Sequence, residues 1–139
     1  MQERFKQIYN LSRTIERNQR EIDRLKEASL AVGAVDLSVE RVMGGKKVDT
    51  LATNAMRIAD LEALQKERLE ELGWLKKWLR RNLDRMPDGL HRDILTKRHL
   101  HLESWADIME GIAYSRRQTF RLYSEARKQF EALTCKYKT

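Results

Sequence analysis

The stretch Ser104-Trp105-Ala106-Asp107-Ile108-Met109-Glu110-Gly111-Ile112-Ala113-Tyr114-Ser115-Arg116-Arg117-Gln118-Thr119-Phe120-Arg121 decides the fold. A serine followed three residues later by an acidic or amide side chain marks a helix start, because the hydroxyl accepts from a backbone N–H that has no partner inside the helix. The pattern occurs twice, at Ser104/Asp107 and at Ser115/Gln118. Between the two starts there is room for a short helix, about Trp105 to Gly111, and a tight turn at Ile112-Ala113-Tyr114. Upstream, Leu90 to Leu100 reads as another helix with Leu90, Ile94 and Leu95 apolar, and His101-Leu102-Glu103 as a break. Met86-Pro87-Asp88-Gly89 ends the helix before that, since the residue preceding a proline resists α-geometry. Asp88 stands where it would cap the helix beginning near Leu90. Two short helices, a turn and a longer basic helix are the helix-turn-helix arrangement, expected over residues 87–139.

The last helix, from Ser115 to about Leu133, has two unlike sides. Thr119, Leu122, Tyr123, Ala126 and Phe130 fall on one side and are expected to pack on the shorter helices. Arg117, Arg121, Ser124 and Lys128 fall opposite, with Arg116, Gln118 and Phe120 flanking that face near its start. Such a surface suits DNA. Arginine pairs bidentately with guanine and glutamine with adenine, and the N–H groups of a helix start attract phosphate. Ser115, Arg116, Arg117, Gln118, Phe120, Arg121, Ser124 and Lys128 are therefore the candidate DNA-binding residues, and Ser104 is a candidate phosphate contact. The plain alternative is that these arginines solvate a surface helix.

The run from Arg98 to Ala126 resembles region four of bacterial sigma factors, and more closely the sigma-like, phage-encoded transcription regulators of the ArpU and RinA type. Ser104-Trp105, Asp107-Ile108, Tyr114-Ser115, Arg121-Leu122 and Ser124-Glu125-Ala126 carry the resemblance. Those regulators also have an N-terminal helix, a glycine-bearing loop and a long second helix. The resemblance implies a regulator of late phage genes, for packaging or lysis, acting in the cytoplasm of a bacterial host. The chain departs from the family at Met109, where alanine is usual, at Ala113, where glycine is usual, and at Thr119, where valine or isoleucine is usual. An alanine in a left-handed turn costs about 1 kcal/mol relative to glycine.

Residues 1–86 read as an antiparallel, coiled-coil-like helical hairpin that serves oligomerisation or partner contact. In its first helix Ile8, Leu11, Ile15, Ile22 and Leu25 step by threes and fours, with Asn18 in the remaining slot, which is a heptad seam. Asn18 is placed to set register. The seam closes either within one chain or between two, giving a homodimer. Periodicity fails over 31–50, where Gly33, Gly44 and Gly45 suggest a connector. Gly44-Gly45-Lys46-Lys47 lacks the spacing and ending of a phosphate loop. The second helix, about Asp49 to Arg85, shows an apolar stripe of Leu51, Ala55, Ile58, Leu61, Gln65, Leu69, Leu72, Leu75, Leu79 and Leu83. Trp74 and Trp78, a turn apart, read as residues that cap the hairpin or dock the next domain. Lys76, Lys77, Arg80, Arg81 and Arg85 are either a solvated last turn, which the helix dipole favours, or phosphate contacts.

Bulk properties agree with a small all-α protein. The chain has 139 residues and a net charge of +7, from 28 Lys and Arg against 21 Asp and Glu. That balance favours a polyanionic partner such as double-stranded DNA. Cys135 is the only cysteine, so no internal disulfide forms. No apolar run suits a membrane span, and the charged start does not read as a signal peptide.

Enzyme chemistry is not expected. His99 and His101 are two apart and share no helix face, His91 lies a few turns back, and no cysteine pair joins them, so neither a metal nor another cofactor is implied. No nucleophile motif is present. The leading expectation is a sequence-specific DNA-binding transcription regulator whose hairpin self-associates or meets RNA polymerase. Two other classes stay open: a packaging component like the small terminase subunit, and an adaptor or inhibitor that grips a host factor.

Overall fold

The computed structural model describes residues 2–34 and 40–136, those at 32–34, 40–47 and 136 by backbone alone. The fold is all-α. Helix α1 is Gln2–Ala34, α2 is Glu40–Asp84 and α3 is Leu90–Leu95; a π-helical turn, Thr96–Leu100, continues α3, and α4 (Trp105–Ile112) and α5 (Arg116–Lys136) come after it. The connector expected over 31–50 is narrower than that. Residues 31–34 belong to α1 and 40–50, with Gly44 and Gly45, to α2, while 35–39 lie outside the described residues. A glycine inside a helix costs only about 1 kcal/mol relative to alanine.

The chain forms two compact units: Met1–Asn10 together with Leu72–Thr139, and Leu11–Glu71. These boundaries differ from a division at 86/87. The first turns of α1 and the last turns of α2 group with the C-terminal helices because Phe5, Ile8, Leu72, Leu75, Leu79 and Leu83 are buried there with Ile94, Leu95 and Phe130.

Within the Leu11–Glu71 unit the two helices run antiparallel. Gln65 Nε2 donates to the Ile15 carbonyl at 2.7 Å, Arg57 pairs with Glu21 at 3.0 Å, Lys26 pairs with Glu62 at 3.1 Å, and Asn54 donates to Ser29 at 3.4 Å. The buried side of α2 follows a strict three-four alternation: 51, 54, 58, 61, 65, 68, 72, 75, 79 and 82 are all buried or half-buried. The apolar stripe expected from the sequence therefore needs correction. Ala55 and Leu69 are exposed, and Asn54, Arg68 and Asn82 occupy the inner slots. Apolar letters alone miss these positions because their occupants are polar. Ile8, Leu11, Ile15, Asn18, Ile22 and Leu25 all lie on the inner side of α1, as their spacing predicts. Asn18 Nδ2, Ser12 Oγ and Gln65 Oε1 are buried there without hydrogen-bond partners.

In the other unit α2 ends at Asp84, and the chain tightens through Arg85 N–H to Asn82 and Met86 N–H to Leu83. Asp88 does not cap α3. Gly89 holds that position at φ 154°, ψ −171°, with no side-chain hydrogen bond. Only glycine adopts this geometry without strain. The π turn places the His101 N–H on the Thr96 carbonyl at 3.0 Å, and Leu102 then turns the chain at φ 56°. Arg92 pairs with Asp84 at 3.0 Å, and His91 with Glu125 at 2.9 Å, which fastens α3 to α2 and to α5.

Candidate nucleic-acid interface

Both expected helix starts form. The Asp107 N–H donates to Ser104 Oγ at 3.2 Å, and the Gln118 N–H donates to Ser115 Oγ at 3.3 Å. Gln118 Oε1 reaches back to accept from the Ser115 N–H at 3.4 Å and its hydroxyl at 3.2 Å, which completes a capping box. Between them Ala113 closes α4 in the left-handed conformation, φ 58°, ψ 37°, as the turn requires. Thr119 is fully buried. Its hydroxyl donates to the Ser115 carbonyl at 2.8 Å, so the extra polar atom is satisfied inside the helix.

The inner side of α5 is locked. Thr119, Ala126 and Phe130 are fully buried, and Leu122 and Tyr123 half-buried. Trp105 packs between Phe120 and Tyr123, with both ring centroids at 4.7 Å. His99, on the π turn, stacks on Phe5 at 3.8 Å and shares a hydrogen bond of 2.8 Å with the Tyr123 hydroxyl. Burial, helped by the nearby Arg98 and Arg127 charges, lowers the His99 pKa from 6.5 to about 4, so the ring is neutral at physiological pH. Burial also raises the Tyr123 pKa, against the opposing pull of Arg127 and Arg98. Arg98 donates to the Glu103 carbonyl at 3.0 Å and lies 4.8 Å over Trp105. Sequence reading does not single out Phe5, Arg98, His99 or Arg127 as supports for this helix. For Phe5 and His99 the signal is absent because their partners lie far away in the chain.

The outer side of α5 is open. Arg116, Arg117, Gln118, Arg121, Ser124 and Lys128 are all exposed. Four of the candidate residues make other contacts. Phe120 is half-buried against Trp105 with Arg116 5.7 Å over its ring, so it supports the helix and does not reach outward. Gln118 and Ser115 spend their oxygens on the cap, and a bidentate glutamine–adenine pair needs that same oxygen. Ser104 likewise accepts a cap hydrogen bond. Charge also divides along the helix. Arg116, Arg117 and Arg121 stand in its first half, whereas Lys128 is flanked three residues on either side by Glu125 and Glu131. A major groove about 12 Å wide takes roughly eight residues of a helix at about 1.5 Å each, so the first half is the part that fits.

The basic end of α2 is a separate surface. Lys77, Arg80, Arg81 and Arg85 are exposed and Lys76 is half-buried. Trp78 meets the ring of Phe130 edge-on at 5.9 Å and has Arg4 4.4 Å over its ring. Phe130 lies some 20 Å along α5 from Arg117 by helix rise. The docking role expected of Trp74 is not met within the chain: its side chain is 70% exposed.

Among the described residues no group of three or more His, Cys, Asp or Glu side chains could hold a metal ion, and no helix is long and apolar enough to cross a membrane. Compared with protein-family models, curated proteins and solved structures, the chain matches none.

Proposed function

We propose that the protein is a sequence-specific DNA-binding transcription regulator that reads double-stranded DNA with the first half of α5. The observation that carries this is the pairing of faces on one helix. Arg117, Arg121 and Ser124 are exposed together, while Thr119 and Ala126 are fully buried behind them. An arginine pair held on a rigid, capped helix is the geometry that bidentate guanine recognition needs. Arg116 adds a phosphate-directed charge at the helix start, and the exposed Ser124 borders the base-reading side. The likeness of Arg98 to Ala126 to the sigma-like phage regulators extends the proposal to late genes of a phage in the cytoplasm of a bacterial host. The hairpin then serves a homodimer or RNA polymerase. The exposed Leu64 and Leu69 on α2 favour such a contact.

Selection of DNA from a random pool with the full chain, at two salt concentrations, tests the proposal. A specific sequence should emerge, its affinity falling steeply with salt. Arg117→Ala with Arg121→Ala should abolish the footprint on that sequence with helical circular dichroism unchanged. A footprint that survives this double substitution rejects the assignment.

A further inference from the structure

One feature of the molecule has no role in duplex reading by α5: an indole in open solvent beside a row of cations. Trp74, Lys77, Trp78, Arg81 and Arg85 step by threes and fours and therefore share one side of α2. Trp74 is 70% exposed, and it is the large apolar side chain that this face leaves uncovered. Lys77 and Arg81 are exposed and take part in none of the ion pairs among the described residues. Arg85 is exposed and donates to Asn82 Oδ1 at 3.3 Å. Arg4, from α1, lies over Trp78 and adds a further charge to the row. From Trp74 to Arg85 the row extends about 16 Å by helix rise.

We propose that this face is a binding site for single-stranded nucleic acid, with the Trp74 indole stacked on an unpaired base and Lys77, Arg81 and Arg85 along its phosphates. The cations call for a polyanion and argue against a second copy of the same positive face. A membrane surface would need a broad apolar face beside the charges; here one exposed indole stands alone among them. A paired base inside a duplex has both of its faces covered by neighbours, so an exposed indole finds a stacking partner in an unpaired one. The site lies away from Arg117 and Arg121, and the inference does not rest on the duplex-reading proposal.

Binding of fluorescein-labelled oligothymidylate to the full chain, followed by anisotropy, tests it. Trp74→Ala should weaken binding about tenfold, as expected for the loss of one base–aromatic stack, and Trp74→Phe should recover most of the loss. Arg81→Glu should weaken binding further and flatten its salt dependence. Arg117→Ala with Arg121→Ala should leave oligothymidylate binding intact, and Trp74→Ala should leave a duplex footprint intact, so either proposal can fail alone. Trp74 is exposed, and circular dichroism should show the variant folded. The inference is overturned if oligothymidylate does not bind, if Trp74→Ala binds like wild type, or if the Arg117/Arg121 substitutions remove the binding. It is overturned in favour of a membrane role if phosphatidylglycerol vesicles, and not oligothymidylate, shift the Trp74 emission to the blue.

Discussion

The two compact units draw on the same pair of long helices, yet they bury different things. The unit of Met1–Asn10 and Leu72–Thr139 closes over Ile8, Leu79, Ile94, Leu95, Ile108, Thr119, Ala126 and Phe130, each fully buried. Rings of Phe5, Trp78, His99, Trp105 and Tyr123 knit it together. The Leu11–Glu71 unit has only two helices to enclose a core. Among its described residues Ile22 and Leu61 are the buried apolar ones, Gln65 is buried with them, and three buried side-chain polar atoms lack partners. Its ion pairs, Arg57 to Glu21 and Lys26 to Glu62, are largely exposed. Two helices present one seam to each other and leave their remaining surface to water. A third and a fourth helix convert half-burial into full burial, and burial is what stabilises. The lesson is that a continuous helix does not have uniform stability: α2 is strongly held past Leu72 and weakly held before it.

The largest expected effect is in the ring-lined unit. Phe130→Ala should cost about 3–5 kcal/mol, because the cavity it leaves is walled by other rings and relaxes little. Ile22→Ala should cost about 2 kcal/mol, since its half-exposed neighbours can collapse into the space. All three tryptophans lie in the ring-lined unit. In urea, tryptophan fluorescence should therefore report that unit alone, and Ile22→Ala should move the circular dichroism transition more than the fluorescence one. Equal shifts of both signals under both substitutions would break the comparison.

A pH series sharpens it next. The His99 pKa is lowered in the fold to about 4, first by burial and then by Arg98 and Arg127. The unfolded chain takes up this proton near pH 6.5, so its contribution is fully present above that value and is lost as pH falls toward 4. The loss amounts to as much as about 3 kcal/mol. The fluorescence-detected midpoint should drop across this window in wild type and much less in His99→Gln. Identical slopes would mean that His99 is not the group responsible.

The smallest effect is of opposite sign and belongs to the hairpin. Asn18 Nδ2 is buried without a partner. Asn18→Leu removes that orphan donor and should raise the thermal midpoint, by about 1 kcal/mol of stability. Light scattering on the same variant will show whether Asn18 also limits how many chains associate, as a polar residue in a seam does elsewhere. An unchanged or lowered midpoint argues that Asn18 finds a partner in solution.

Much of this is legible in the residue order, because the forces that decide it are local. Serine caps, the left-handed Ala113 and the two faces of α5 all depend on neighbours within about one helical turn. So do the all-α class and the inner side of α1. The stripe on α2 departs from the apolar pattern at Ala55 and Leu69, because burial at Asn54, Arg68 and Asn82 depends on what the opposite helix offers. Gln65 and Asn54 are tolerated inside because Ile15 and Ser29 meet them. Trp74 and Trp78 are alike in sequence and differ in fate, since Phe130 and Arg4 cover only the second.

Sequence by itself determined where α4 and α5 start and which side of α5 carries the arginines, since backbone capping and helical periodicity act over a few residues. Tertiary structure alone decided that Phe5 joins the C-terminal unit, that Trp105 draws Phe120 inward, and that Trp74 is left in water. Those outcomes depend on shape complementarity between segments tens of residues apart, which no local pattern encodes.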